Sequence, residues 1–358
     1  MINDNQILKV LSKVTDPVKK KDLISLKSIK KIKIFKNSVT IEILISPSSF
    51  KLKEIIRRNC INVLEKLNST LEYNIKFSMN DDKKDIIENK SDNVNNKFET
   101  KNIKNILAIT SGKGGVGKST ISSNIAVGLR NQGAKVGLID ADIFGPSIPT
   151  MFNCENEQPS FKKEKEKNII IPIQQYGIKL LSIGLLIPKQ NAVIWRGPMA
   201  SSALKQMILD ADWGELDYLI VDLPPGTSDI HITLSQNFNV KGSIIITSPQ
   251  KISTIDAEKS IAMFNQKNTE VPIIGIIQNM SHFISDDNIK HFIFGENGGK
   301  DLAEKLNLNL LGDIPIDKNI SESSDIGYPI VLKDKQISET FKKICKKIAI
   351  KIEENNFK

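Results

Sequence analysis

From residue 103 onward, short apolar runs alternate with stretches whose apolar positions recur at helical spacing. The runs are NILAIT (105–110), KVGLID (135–140), DYLIVD (217–222), GSIIITS (242–248) and VPIIGIIQN (271–279). Runs this short and continuous suit strands buried on both faces. Helical segments fall among them at 119–131, 252–267 and near 297–306. Strands alternating with helices predict a mainly parallel sheet flanked by helices, the α/β class, with right-handed crossovers.

Residues 1–79 follow another pattern. Ile7, Val10 and Leu11 have helical spacing, and SVTIEILIS (38–46) is rich in β-branched residues and reads as a strand. KEIIRRNCINVLEKL (53–67) sets Ile55, Ile56, Cys60, Val63, Leu64 and Leu67 on one helical face. This predicts a small α+β domain. Residues 80–102 are mostly charged or amide residues, too polar to offset chain entropy by burial, and read as a flexible linker to an α/β domain over 103–358.

The length of 358 residues suits two domains, and 40% hydrophobic with 25% charged residues is ordinary for a globular chain. The net charge of +9 comes from lysines spread along the chain, often beside acids as in FKKEKEKN (161–168). That reads as composition rather than a nucleic-acid-binding face. The start, MINDNQILKV, has no secretory pattern, and no run approaches a membrane span, so the expected location is the cytoplasm. The three cysteines, Cys60, Cys154 and Cys345, lie far apart with no metal-ligand spacing and are expected as small buried hydrophobes.

The chemistry begins at SGKGGVGKST (111–120), between the first α/β strand and its helix. Gly112, Gly117, Lys118 and Ser119 fit G-x-x-x-x-G-K-[ST]. Glycines let backbone N–H groups face phosphate oxygens, and the helix start adds positive potential. Lys118 is expected to neutralise the β/γ-phosphates and the Ser119 hydroxyl to ligate Mg²⁺. Gly114, Gly115, Val116 and Thr120 complete the nucleotide-binding loop. The letters also satisfy G-x-G-x-x-G, with Asp140 roughly 20 residues on as in a dinucleotide site. Lys118 and Ser119 decide for a triphosphate, because a dinucleotide needs neither.

Two more strand ends add carboxylates. Asp222 closes YLIVD before Pro-Pro-Gly and suits the Mg²⁺ site, directly or through water. Gly226 is expected to offer its N–H to the γ-phosphate and to move when that phosphate leaves. In KVGLIDADIFGPSIPT (135–150), Asp142 is the choice to orient or deprotonate the attacking water, with Asp140 behind it.

The loop, with its early Lys113, resembles the deviant Walker A loop of the MinD/ParA and nitrogenase iron-protein class. DADIFGPSIPT, VIWRGPMAS (193–201), DLPPGTSDI (222–230), IITSPQ (245–250), QNMS (278–281) and IFGENGG (293–299) narrow the resemblance to the Mrp/ApbC family of iron–sulfur cluster carrier ATPases. It spans about 103–335. TDP (15–17) carries a weaker likeness to the small domain that precedes the ATPase in that family. The resemblance implies ATP hydrolysis in a homodimer, with Lys113 reaching the partner's nucleotide and iron–sulfur apoproteins as recipients. It implies adenine contact by Asn279 and a base pocket lined by Pro315.

It also implies a C-x-x-C between NMS and FG whose thiolates hold a [4Fe–4S] cluster shared across the dimer. Here NMSHFISDDNIKHFIFG puts Ser285 and Asn288 at those places, neither of them a polarizable anion. His282, His291 and Cys154 are weaker substitutes. Ser228 stands where the family has glycine, and ISPSSF (45–50) lacks a cysteine found in related small domains. The alternatives are a MinD/ParA-like positioning ATPase or a cluster-free adaptor. A membrane role would rest on the basic amphipathic stretch 336–357, where Phe341, Ile344, Cys345, Ile348 and Ile352 form an apolar stripe. Such helices more often pack on their own domain.

Overall fold

In this computed structural model, the described residues are 3–79 apart from 36–37, 47–48 and 50–51, and 97–356 apart from 165–166 and 187–196. Two units separate near residue 94. The smaller contains α1 (Asp4–Leu11), β1 (Ile29–Ile34), β2 (Ser38–Ile45), α2 (Lys53–Glu65) and β3 (Glu72–Met79). β2 lies between its neighbours, antiparallel to β1 and parallel to β3. Its alternation places Val39, Ile41, Ile43 and Ile45 in a core with Ile56, Cys60 and Leu64 of α2 and Ile7 and Leu11 of α1. Ile55 departs from the expected face and is 40% exposed, because only one stripe of α2 meets the sheet. The TDP turn has a plain structural reason: buried Asp16 accepts from the Val18 and Lys19 amides and from the Ser49 hydroxyl.

The stretch expected as a linker divides. Residues 80–96 lie outside the described residues. From Lys97 the chain belongs to the larger unit, where the Phe98 amide donates to Asn237 O at 2.7 Å and its ring lies 5.7 Å from Phe238.

The larger unit runs β4 (Ile103–Ser111), α3 (Lys118–Asn131), β5 (Val136–Asp140), α4 (Ile148–Met151), β6 (Ser160–Glu164), β7 (Lys167–Ile171), β8 (Ile173–Gln175) and β9 (Ile178–Ser182). It continues with α5 (Gly197–Leu209), β10 (Leu216–Asp222), α6 (Asp229–Asn237), β11 (Val240–Thr247), α7 (Lys251–Phe264) and β12 (Ile273–Gln278). A two-stranded hairpin, β13 (Phe283–Ile284) and β14 (Lys290–His291), precedes α8 (Gly298–Lys305), β15 (Leu310–Asp313), α9 (Lys318–Asp325) and α10 (Lys335–Asn356). The charged 161–168 stretch is a second hairpin, β6–β7.

The main sheet has the order β15-β12-β11-β4-β10-β5-β9-β8, and only β8 is antiparallel to its neighbour. The chain is thus an α/β P-loop-type fold with a mainly parallel sheet flanked by helices. Alternate residues of β4 serve two cores. Leu107 and Ile109 pack with Ile121, Ile125, Phe341 and Ile348, while Ile106 and Ala108 pack with Leu204, Met207, Ile230 and Leu234. The apolar stripe of α10 is buried, from Phe341 to Ile352. Cys345 Sγ lies 2.8 Å from where a Cβ on Gly128 would stand, so a glycine on α3 lets the two helices close. Lys347 donates to the Leu310 and Leu311 carbonyls of edge strand β15.

Parallel strands put the carboxyl ends of β4, β5, β10, β11 and β12 on one edge. Every loop predicted to carry chemistry leaves from that edge, the usual place for ligands in open α/β sheets.

Candidate functional site

The phosphate loop is shaped by what its glycines touch. A Cβ on Gly112 would fall on the backbone of Asp256 and Ala257 in α7, so no other residue fits. Gly115 and Gly117 take φ of +82° and +81°, the left-handed region open to glycine. Gly117 then caps α3, whose first residue is Lys118. Ser111 steadies the entry, donating its hydroxyl to Lys113 O at 2.9 Å. Asn279, reaching in from beyond β12, donates Nδ2 to Val116 O at 2.8 Å and packs against Gly117.

Lys118 is 6% exposed, and its Nζ lies 2.9 Å from Asp222 Oδ2 and 3.7 Å from Asp142 Oδ2. Asp222 is fully buried and accepts hydroxyls from Ser119 on Oδ2 and from Ser122 on Oδ1, both at 2.6 Å. Two hydroxyls and the Lys118 contact thus give both oxygens of this buried carboxylate a partner, which a buried charge requires. Ser122 was not predicted. Its signal was its place one turn after Lys118 and Ser119, on the same helix face.

Asp140 is also fully buried and accepts the Asp142 and Ile148 amides, each at 3.2 Å, and the Ser182 hydroxyl at 3.1 Å. Burial first, and then the charge of Asp222, push its carboxyl up to about 7, against the pull of Lys118. Asp140 thereby ties both ends of the 141–148 loop. Asp142 holds that loop's turn through the Phe144 amide at 3.2 Å, while the Phe144 ring is 79% exposed.

Lys118 and Asp142 line a cavity of about 240 Å³ with Lys113, Ser119 and Thr120 at its wall. A larger cavity of about 590 Å³ lies at the other end of the strands, by Val240 and Pro272, and holds none of the predicted residues. Lys113 is exposed, and no carboxylate pairs with it among the described residues. Gly226, with φ of +78°, donates its amide to Ser111 O at 2.8 Å. Pro315 is half-buried in the strand-end segment where Ile314 N donates to Gln278 O. In the VIWRGPMAS segment, residues 193–196 lie outside the described residues, while Gly197 is so close to the Asp229 carboxylate that a side chain there would strike it.

The expected cluster segment is the hairpin β13–β14. Ser285 and Asn288 form its turn, with Ser285 N donating to Ile289 O at 3.0 Å and Asn288 N to Ser285 O at 2.9 Å. Asn288 takes φ of +61°, a conformation asparagine tolerates and most side chains avoid. His282 turns to Ser281, 3.0 Å from its hydroxyl, and His291 lies by Phe283. Among the described residues, no group of three or more His, Cys, Asp or Glu side chains is placed to hold a metal ion. Cys154 is buried and directs its thiol at Pro149 O. Burial pushes all three thiols up to about 12, helped at Cys154 by Glu157 and Glu155.

Residues 102–349 match a ParA-group family model described as the NUBPL iron-transfer P-loop NTPase. Residues 4–75 match one described as an iron-sulfur cluster assembly protein. An iron-sulfur cluster carrier protein of Synechocystis is 35% identical over 356 residues, 98% of both chains. That of Escherichia coli K12 is 44% identical over 253 residues, 70% of this chain and 67% of the relative. The iron-sulfur cluster transfer protein NUBPL of Dictyostelium discoideum is 44% identical over 260 residues, covering 72% and 79%. Among solved structures, a nucleotide-binding protein from Archaeoglobus fulgidus in complex with ADP is 34% identical with a TM-score of 0.56, covering 66% of this chain and 91% of that one. The Pyrococcus furiosus cell division ATPase MinD shares the fold at 21% identity and a TM-score of 0.51, covering 68% and 98%.

Proposed function

This chain belongs to the ParA-type family of NUBPL iron-transfer P-loop NTPases, and from that premise we propose that it binds and hydrolyses ATP to drive iron–sulfur cluster transfer to apoproteins. The observation that carries the reading is Lys118, buried in the phosphate loop between Asp222 and Asp142 at the wall of a cavity.

The Ser119 hydroxyl and the Asp222 carboxylate form a hard oxygen pair 2.6 Å apart, which suits Mg²⁺. Ser119 would hold the ion directly and Asp222 through water, because both Asp222 oxygens already accept serine hydroxyls. Bound there, Mg²⁺ supplies charge neutralisation at the phosphates. Gly112 to Thr120 would wrap the phosphates, and Lys118 would leave Asp222 for the β/γ-oxygens. Asp142 would orient the attacking water, helped by a loop that Asp140 fixes at both ends. Gly226 would exchange Ser111 O for the γ-phosphate. Asn279 has committed Nδ2 to Val116, which leaves Oδ1 for adenine, with Pro315 beside the base.

Lys113 would act in a homodimer on the partner's nucleotide. Its exposure, with no carboxylate paired to it among the described residues, supports that role. The cluster is cargo. Ser285, Asn288 and three buried thiols offer no thiolate at the hairpin, so we propose that donor or recipient proteins supply the thiolates during transfer. A membrane-positioning role has less support, since the α10 stripe lies in the core. No helix among the described residues is long and apolar enough to cross a membrane.

The test is transfer of a [4Fe–4S] cluster from a loaded donor to an apo-recipient. Wild type with ATP and Mg²⁺ should accelerate it, and Asp142→Asn should not. Equal rates with and without the protein would sink the reading.

A further inference from the structure

The phosphate loop and the segment after Asp222 are joined at a point that nucleotide chemistry does not require. His231 is fully buried at the third position of α6. Its Nε2 lies 3.0 Å from the hydroxyl of Thr110, the last residue but one of β4, which is itself fully buried. Its Nδ1 faces back to Ser228, 3.0 Å from the hydroxyl and 3.3 Å from the amide.

The amide fixes the tautomer. Ser228 N–H can only donate, so Nδ1 accepts, and Nε2 carries the proton and donates to Thr110 Oγ1. Adding a proton at Nδ1 would aim one donor at another. Burial, and then the charge of Lys118, hold the ring's pKa down to about 4. The ring therefore stays neutral, in one tautomer, across the physiological range.

The segment that it anchors has one soft joint. At its start the Leu223 amide donates to Ile109 O at 3.0 Å, and Pro224 and Pro225 are stiff. At its end Ser228 is held by His231. Between them stands Gly226, with φ of +78°, its amide resting on Ser111 O. Both anchors lead back to β4, the strand that delivers the phosphate loop.

We infer that His231 is a positioning residue that holds the far end of the switch segment to β4, so that Gly226 moves between Ser111 O and the nucleotide while its flanks stay fixed. A non-glycine residue at 228 fits this role, because its side chain gives Nδ1 a second partner. The inference rests on the ATPase reading, and the two are tested separately.

Two substitutions divide the possibilities. Glutamine can span the same pair, its amide N–H to Thr110 and its oxygen to the Ser228 amide, as in a capping box. Leucine fills the space and makes neither bond. His231→Leu should lower kcat for ATP by about ten-fold or more with KM and ADP affinity within about two-fold, and His231→Gln should recover most of it. Amide exchange at 226–228, read without turnover, should be about ten-fold faster in the leucine variant and near wild type in the glutamine variant. In ¹⁵N-histidine spectra of the wild type, His231 should show the Nε2–H form and no titration above about pH 5.

Wild type that hydrolyses no ATP removes the ATPase reading alone, and amide exchange and tautomer still decide the anchor. An Nδ1–H tautomer, or titration near the ordinary histidine value, overturns the inference. So does a leucine variant with wild-type exchange and kcat, or one that loses kcat, ADP affinity and melting temperature together without rescue by glutamine. If His231→Leu fails to fold, the tautomer and the exchange of His231→Gln against wild type decide.

Discussion

Two loops leave the carboxyl edge of the same sheet and are built in opposite ways. The phosphate loop after β4 is held by buried charge: Lys118 between Asp222 and Asp142, two serine hydroxyls on Asp222, and Asn279 bracing Val116. The hairpin after β12 is held at its turn by backbone bonds, and its Phe283, Ile284, Ile289, Phe292 and Ile293 are each at least 40% exposed. Phosphoryl transfer needs donors fixed before charge develops, so its loop is expensive to alter. A cluster clamp needs accessible thiolates, which the hairpin lacks, and little is disturbed by changing it. The contrast separates the part of the molecule that must be pre-formed from the part that is open to substitution.

The contrast breaks most completely at Gly112. In Gly112→Ala the new methyl meets the α7 backbone, which cannot move as a flexible side chain would. Nucleotide affinity should fall by about 100-fold or more, with a lower melting temperature. Binding of a fluorescent ADP analogue measures it, and wild-type affinity would contradict the packing.

Lys113→Ala comes next. The Lys113 side chain is exposed and pairs with no carboxylate among the described residues, so the fold and ADP affinity should persist. Hydrolysis should fall by about 10³-fold if it serves the partner's phosphates. Mixing Lys113→Ala with a Lys118→Ala chain checks the geometry, since only a mixed dimer restores one complete site.

His231 sharpens the energetic side. Its folded-state value near 4 lies below the ordinary 6.5, so as pH falls the unfolded chain takes up a proton first. Stability is therefore full above 6.5 and is lost between 6.5 and 4, by about 3 kcal/mol from this group. Urea midpoints over that window should slope less in His231→Gln than in wild type. Parallel slopes would mean that the ring is not held neutral.

The smallest effect on stability is expected at the hairpin. Ser285→Cys with Asn288→Cys should cost about 1 kcal/mol, nearly all of it from placing cysteine at the positive φ of Asn288, because no core packing is lost at the turn. The same pair should raise the iron and sulfide bound after anaerobic reconstitution well above wild type. Equal loading would show that other ligands, not these positions, decide cluster binding.

Much of this contrast was legible in the sequence. Parallel strands follow from unbroken apolar runs, and Gly112, Gly117, Lys118 and Ser119 announce the loop by spacing alone. The missing C-x-x-C shows only against the family resemblance, which says where to look for it. Ser122 shows only in its helix-face spacing, and the bonds that give Ser122, Thr110 and His231 their roles join elements 100 or more residues apart in sequence. Ser-x-x-His at 228–231 hints only at a helix start. That the imidazole also meets β4 depends on β4 and β10 being neighbours, which the sheet order supplies. Spacing could not fix the face of α2 at Ile55, because amphipathic stripes are wider than the surface a small sheet covers. Nor could it bury the α10 stripe, whose pattern of lysines suits either a membrane or a core.

The most direct test is steady-state ATP hydrolysis with Mg²⁺, comparing wild type with Lys118→Ala. Wild type should turn over, and Lys118→Ala should fall by at least about 100-fold while its hairpin and α10 remain folded. Equal rates in the two proteins, or no Mg²⁺-dependent hydrolysis by wild type, would contradict the assignment of the phosphate loop as a working ATPase site.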